Sequence, residues 1–228
     1  LGQAQLDSSD IDGAIDTFTI IVDSYPEDLD SLRRLTSMEF SAGRYESAAY
    51  RLETVLSQQP DQPELFFGLG QIRRALGNED GAFEAFEKIG PSARNYVDAR
   101  LEIAMLLESQ ERYAEALVEI DRLRMLRPNR QIDFHAAALR IQMGDVDGGI
   151  ALLTELLDGS DDDLEILYQV GVQYGVNGDS DEALRYMQRV LKIEPNNVNA
   201  LNFIGYFWAE RGVNLAEAEE LIRRAIEL

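Results

Sequence analysis

The sequence predicts an all-α protein made of seven helical hairpins stacked in register, and three periodic series of residues carry that prediction. The first is a series of small residues: Ala14, Ala48, Ala82, Ala116, Gly149, Ala183 and Ala218, spaced 34 residues apart with one interval of 33 and one of 35. The second runs in parallel through Gly2, Thr36, Gly70, Ala104, Ala137, Gly171 and Gly205. The third marks a turn at Gly43, Gly77, Gly144, Gly178 and Gly212, with Ser9 and Glu111 in the same slot. Self-similarity at such a period is the signature of a solenoid, in which each supersecondary unit buries its apolar face only against its neighbours.

Each period reads as two helices joined by a tight turn. Glycine at the turn tolerates a left-handed backbone and ends the first helix. Small residues on both helices let the two backbones approach. Four residues after each second-helix Ala or Gly comes a large apolar side chain: Phe18, Leu52, Phe86, Ile120, Leu153, Met187, Ile222. Three residues further come Ile21, Val55, Ile89, Leu123, Leu156, Val190 and Ala225. This i, i+4, i+7 spacing lays an apolar stripe along one face of a helix.

In chain order the repeats span 1–28, 29–62, 63–96, 97–129, 130–163, 164–197 and 198–228. Pro26, Pro60, Pro128 and Pro195 close four of them, since proline cannot continue the helical hydrogen-bond ladder. In the third repeat Gly90-Pro91 ends the second helix early and stands in for the closing proline. The first repeat opens at its seventh position, the last stops just before its closing proline, and no polar capping helix follows. The array therefore reads as a piece of a longer parent.

The pattern resembles the tetratricopeptide repeat (TPR), which has Leu-Gly, then Ala, Phe, Ala and Pro at fixed offsets over 34 residues. Leu69-Gly70, Gly77, Ala82 and Phe86 form one instance, and Leu201, Ile204-Gly205, Ala218 and Ala225 another. The resemblance covers the whole chain, with Thr36 and Gly149 as local departures. It implies a right-handed α-α superhelix whose first helices line a concave face that receives an extended or helical segment of another protein. In this family the groove-facing slots are the second, fifth, sixth, ninth and twelfth positions of a repeat. In the second and third repeats they hold Asp30, Arg33, Arg34, Ser37, Glu64, Phe67, Gln71 and Arg74. In the last three they hold Phe134, His135, Tyr168, Gln169, Val172, Asn199, Asn202, Phe203 and Tyr206. Aromatic anchors on a rigid concave surface suit peptide binding, so Phe134, His135, Tyr168, Val172, Asn202, Phe203, Tyr206, Arg33 and Phe67 are the expected partner-binding residues. Chaperone-binding members of the family clamp a C-terminal carboxylate with Lys, Asn and Arg; here the corresponding slots hold Arg33, Ser37, Gly68, Asp98 and Glu102, two acids where cations belong, which argues against such a clamp.

Composition excludes much other chemistry. The chain has 228 residues, no cysteine, one histidine and a net charge of −21. Thiolate nucleophiles, disulfides and Cys-based metal sites are therefore ruled out. The acids are blocked: residues 1–30 hold eight and residues 141–184 hold eleven, both without Lys or Arg, while residues 100–130 balance six acids with six arginines. A field of this sign repels phosphate backbones, so nucleic acid is not an expected partner; the charge serves solubility or adaptation to salt, or else steers a basic protein partner. No apolar run approaches the roughly 18 residues of a membrane span. His135 has no base or ligand partner at useful spacing and reads as a groove or packing residue. Asp145, Asp147 and Asp161-Asp162-Asp163 lack the spacing of a calcium loop and read as helix caps. Gly148-Gly149 and Asn177-Gly178-Asp179 lack the strand and Lys of a phosphate cradle. No catalytic residue, metal or cofactor is expected.

The last repeat, Asn199-Ala200-Leu201-Asn202-Phe203-Ile204-Gly205-Tyr206 through Leu221-Ile222-Arg223-Arg224-Ala225, is similar to units of long bacterial TPR proteins. Many of those are envelope lipoproteins, and some are adaptors for a carboxyl-terminal processing protease. That resemblance implies either the bacterial cytoplasm or a tethered position in the periplasm. The function expected is a non-catalytic scaffold or adaptor binding a partner segment in its groove. The alternatives are a self-assembling module and a regulatory arm of an enzyme whose catalytic domain lies elsewhere in the parent.

Overall fold

The computed structural model of the protein describes residues 10–157 and 163–228; Gly2 and Ser9 of the periodic series, and Asp161 and Asp162 of the acidic run, lie outside them. The described residues form thirteen α-helices and no strand: α1 (Ile11–Ser24), α2 (Leu29–Ser41), α3 (Tyr45–Gln58), α4 (Pro63–Ala75), α5 (Glu79–Glu87), α6 (Tyr96–Ser109), α7 (Tyr113–Leu126), α8 (Arg130–Gln142), α9 (Val146–Leu156), α10 (Leu164–Val176), α11 (Ser180–Ile193), α12 (Val198–Arg211) and α13 (Leu215–Glu227). They fall into two compact units, residues 1–119 and 120–228.

The turn slot behaves as its residues require. Gly43, Gly77, Gly144, Gly178 and Gly212 all have positive φ, between 65° and 89°, and Glu111 takes the same left-handed conformation at φ 58°. The next amide then bonds back to a carbonyl five residues earlier: Arg44 to Glu39 at 2.7 Å, Asn78 to Arg73 at 2.9 Å, Arg112 to Leu107 at 2.8 Å, Asp179 to Tyr174 at 2.9 Å and Val213 to Trp208 at 3.0 Å. This is the Schellman closure, and it satisfies carbonyls that the helix end leaves free. The following helices start on side-chain caps. Asp28 accepts from the Ser31 amide at 3.1 Å, Asp145 from Gly148 at 3.1 Å, Asp163 from Ile166 at 3.1 Å and Asp179 from Glu182 at 3.4 Å. Asp145 and Asp163, two of the aspartates read as caps from sequence, take that role here.

In the first unit each helix from α1 to α6 packs on its sequence neighbours, and α2 also touches α4 directly. Leu32, Leu35, Leu52, Leu65 and Phe86 are among its fully buried side chains. The small-residue series explains the close approach. A Cβ on Gly70 would lie 2.5 Å from the Phe86 ring. Thr36, the departure from the small series, is tolerated because its hydroxyl donates to the Leu32 carbonyl at 3.0 Å. Polar ties at close to the repeat interval join successive hairpins: Arg44 to Asp12 at 2.7 Å, Asn95 to the Pro63 carbonyl at 3.1 Å and Gln110 to Glu79 at 3.1 Å.

Two buried charges sit in this unit. Glu39 is buried, accepting from Ser47 at 2.6 Å and from Arg51 at 3.2 Å. Arg100 is buried against the Tyr96 ring, donates to Glu87 at 2.5 Å and lies 3.5 Å from Glu119. Burial alone would lower the Arg100 pKa; the hydrogen bond to Glu87 and the charges of Glu87 and Glu119 outweigh it and hold the guanidinium above its ordinary value.

In the second unit helices α8 to α13 likewise pack in sequence order. Its core gathers Ile150, Leu153, Leu167, Val170, Met187 and Ile204. Gly149 replaces the usual second-helix Ala for a visible reason: a Cβ there would lie 2.4 Å from Ile141 Cγ1 and 2.9 Å from the Ala137 carbonyl oxygen. Gly205 stands in the same relation to Ile222, at 2.6 Å.

Candidate functional site

Within each unit the first helices of consecutive repeats lie side by side, and between them runs a recurring slot. Six positions build it: the fifth, ninth and twelfth of one repeat, the large apolar residue of that repeat's second helix, and the sixth and tenth of the next. Side-chain choice at these positions decides whether the slot is open or filled.

Between α2 and α4 the slot is open. It is a cleft of about 240 Å³ with Arg33, Ser37 and Phe40 on one wall, Phe67, Gly68 and Ile72 on the other, and Leu52 at its floor. Glu64 and Gln71 also line it. Gly68 stands over the floor, where a Cβ would meet only Leu52 Cδ1, at an ordinary 3.5 Å. The Phe67 ring stands 5.6 Å from the buried Phe86 ring, and Arg33 is paired with Asp30.

Between α8 and α10 the slot is open again, at about 290 Å³. Phe134, Ile141 and buried Leu153 give it an apolar interior, with Ala138 at the mouth. Gln142, Gln169 and Gln173 supply three amides around it. Every one of the six slot positions here lies 101 residues after its counterpart in the first cleft: Phe134 for Arg33, Ala138 for Ser37, Ile141 for Phe40, Leu153 for Leu52, Gln169 for Gly68, Gln173 for Ile72. The two clefts are one architectural site with different chemistry.

At two further places the slot is filled. Between α4 and α6 the twelfth position is Arg74 and the next repeat's sixth is Glu102, and the two form an ion pair across the opening. Between α10 and α12 the twelfth position is Gly175, and Phe203 packs into the space; a Cβ on Gly175 would lie 2.9 Å from Phe203 Cζ. Phe203 stacks on Phe207 at 6.1 Å between centroids, and Arg211 covers Phe207 at 3.8 Å.

The residues singled out from sequence are therefore dispersed over several surroundings. Arg33 and Phe67 line the α2–α4 cleft, and Phe134 lines the α8–α10 cleft. Tyr168, Val172 and Phe203 are half-buried against the second unit's core. His135 and Asn202 are half-buried on α8 and α12, and Tyr206 is exposed. The residues not singled out are Phe40, Gly68, Ile141 and Gln173, together with the floor leucines Leu52 and Leu153. Phe40 and Ile141 occupy the twelfth position, which was within reach; the leucines belong to the apolar stripe and gave no sign of also facing a cleft.

Among the described residues no cluster of His, Asp and Glu is arranged to hold a metal ion, and no helix is long and apolar enough to cross a membrane. Hairpins of fixed period, closed by one turn type and presenting slots between their first helices, define the helical-repeat class of interaction proteins. Tetratricopeptide repeat models match residues 1–52, 39–96 and 173–228, and the chain belongs to the tetratricopeptide repeat family. The TPR repeat-containing protein PA4667 of Pseudomonas aeruginosa is 27% identical over 165 residues, which is 71% of this chain and 28% of that protein. The CTR9 homolog of Arabidopsis thaliana is 32% identical over 89 residues, 39% of this chain and 8% of its own length. The chain thus spans less than a third of either relative. The C-terminal part of a TPR repeat-containing protein from Cytophaga hutchinsonii has the same fold, with a TM-score of 0.80 at 11% identity over 100% of this chain and 93% of that one. YrrB, described as a TPR protein with an unusual peptide-binding site, gives a TM-score of 0.63 at 19% identity over 82% of this chain and 97% of its own. At these identities the likeness is one of fold.

Proposed function

We propose that the chain is a non-catalytic protein-interaction scaffold that binds segments of partner proteins along the faces formed by its first helices. The observation that supports this reading is the recurrence of one open cleft in two places, with the equivalent slots nearby filled by the protein's own side chains. A slot left open over a buried leucine exposes apolar surface that a partner side chain can cover. The family membership supports the same class of function.

The absence of cysteine from the sequence allows a direct test. Single Ser37→Cys and Ala138→Cys substitutions place a thiol at the mouth of each cleft, and Tyr50→Cys places one on the exposed side of α3, a second helix. Partner recovered with the native protein should slow thiol labelling at positions 37 and 138 and leave position 50 unaffected. Equal protection at all three sites, or protection at position 50 alone, would contradict the reading.

A second reading, self-association, is favoured by one feature. On the last hairpin, Ala209, Leu215, Ile222 and Ile226 line an apolar hollow of about 420 Å³, and Ile226 is 78% exposed. An Ile226→Glu variant whose mass by light scattering no longer rises with concentration would support it.

A further inference from the structure

The filled slots show what keeps the open ones open. The Arg74–Glu102 pair that closes α4–α6 occupies the positions held by Phe40 and Gly68 in the α2–α4 cleft, and by Ile141 and Gln169 in the α8–α10 cleft. Two side chains per slot therefore set its state.

The chemistry around the α8–α10 cleft narrows what it can take. Its interior is apolar at Phe134, Ile141 and Leu153. Its polar groups are all carboxamides, each able to donate and to accept, as the two sides of a peptide backbone require. Glu165, Gln169 and Gln173 follow one another at i, i+4, i+8 along α10, so an exposed carboxylate stands one turn beyond the amides. Arg130, the cation at that end of α8, is paired with Asp163. From 141 to 184 the chain carries acids with no Lys or Arg. At this end of the cleft the Arg130–Asp163 pair is neutral, and the exposed Glu165 adds a negative charge to it.

We infer that the α8–α10 cleft is the anchor socket for an extended, positively charged segment of another protein. One apolar side chain of the segment enters between Phe134, Ile141 and Leu153. Gln142, Gln169 and Gln173 hold its backbone. A Lys or Arg beside the anchor meets Glu165. This assignment rests on the reading of the first-helix faces as binding surfaces. The α2–α4 cleft carries the equivalent carboxylate, Glu64, but has a guanidinium, Arg33, where Phe134 stands and glycine where Gln169 stands, so it lacks this combination of apolar wall and amide row.

The test is selection of a displayed library of random twelve-residue peptides against the full chain and four variants. Ile141→Arg with Gln169→Glu transplants the natural closing pair into this socket. Phe40→Arg with Gly68→Glu closes the other one. Ala138→Phe plugs the mouth from an exposed position, which keeps the test usable should the first pair disturb folding. Glu165→Arg reverses the rim charge. The native chain should enrich peptides with an apolar residue next to Lys or Arg. That enrichment should fall at least tenfold on the first pair and on Ala138→Phe, and persist on the second pair. On Glu165→Arg the apolar preference should remain and the basic one disappear. Enrichment of acidic neighbours by the native chain overturns the proposal, as does undiminished enrichment on both socket-closing variants. Loss confined to the Phe40→Arg, Gly68→Glu variant overturns this assignment and leaves the broader reading of the first-helix faces standing. Identical selections on every variant overturn both.

Discussion

Replacing Gly70 by Ala isolates the role of close helix approach. In an unconstrained helix the change is favourable, since Ala is preferred over Gly by about 1 kcal/mol. Here the new Cβ would lie 2.5, 2.7 and 2.8 Å from three atoms of the Phe86 ring, all inside any tolerable separation. The ring is fully buried, so it cannot swing into solvent. Overpacking of this kind costs about 1–3 kcal/mol. With three contacts below 3 Å on a ring that has nowhere to go, the upper part of that range, about 2–3 kcal/mol, applies, and set against the propensity gain the net expectation is a loss of about 1–2 kcal/mol. For a chain of this size that is a drop in melting temperature of roughly 2–8 °C. The assay is thermal and urea unfolding followed by far-UV circular dichroism. Pairing Gly70→Ala with Phe86→Leu should cost less than the two single changes added together, because the smaller side chain vacates the contested space. A Gly70→Ala variant as stable as the native protein, or a strictly additive double variant, would refute the steric argument.

Three further outcomes can be checked the same way. Glu111→Gly should stabilise the first unit by up to about 1 kcal/mol, because only glycine adopts a left-handed φ at no steric cost. Gly212→Ala should destabilise by a comparable amount. Arg100→Ala removes the buried cation that faces Glu87 and half-buried Glu119 and should cost about 3–5 kcal/mol, while Arg100→Leu with Glu119→Leu should cost clearly less, as apolar replacements of buried ion pairs often do. Phe203→Ala should lower stability by about 2 kcal/mol and open the α10–α12 slot, giving new peptide selections in the display assay that the native chain does not give.

The fold was legible in the sequence because its main devices are local. Turn glycines, cap aspartates and the i, i+4, i+7 stripe act within about ten residues, and the structure shows each in use at Gly43, Asp145 and Leu153. Glu111 was placed in the turn slot by spacing alone, and it adopts the left-handed backbone although it is not glycine. The candidate site was legible only in part. Arg33, Phe67 and Phe134 were reached through the resemblance to the family. Whether a slot is open depends on two side chains from different repeats meeting across a gap, as Arg74 and Glu102 do, and no single-repeat pattern records that pairing. Phe203 illustrates the same limit: its aromatic ring suggested an anchor for a partner, but Gly175, 28 positions earlier, provides the space the ring occupies.

Ile141 is the residue where two separate jobs meet. One flank of its side chain lines the α8–α10 cleft, and the other lies against the bare backbone of Gly149. Three letters that spell out a preferred guest, Ala138, Gln142 and Glu165, stand on exposed positions. They can be rewritten at little expense to folding. Ile141 cannot, because a change of shape there is felt at once by the hairpin behind it. The same contact runs in the opposite direction. A guest that presses on Ile141 tightens the α8–α9 hairpin, so occupancy of the cleft should register as slower amide exchange in α9, on the far side of the helix from the guest.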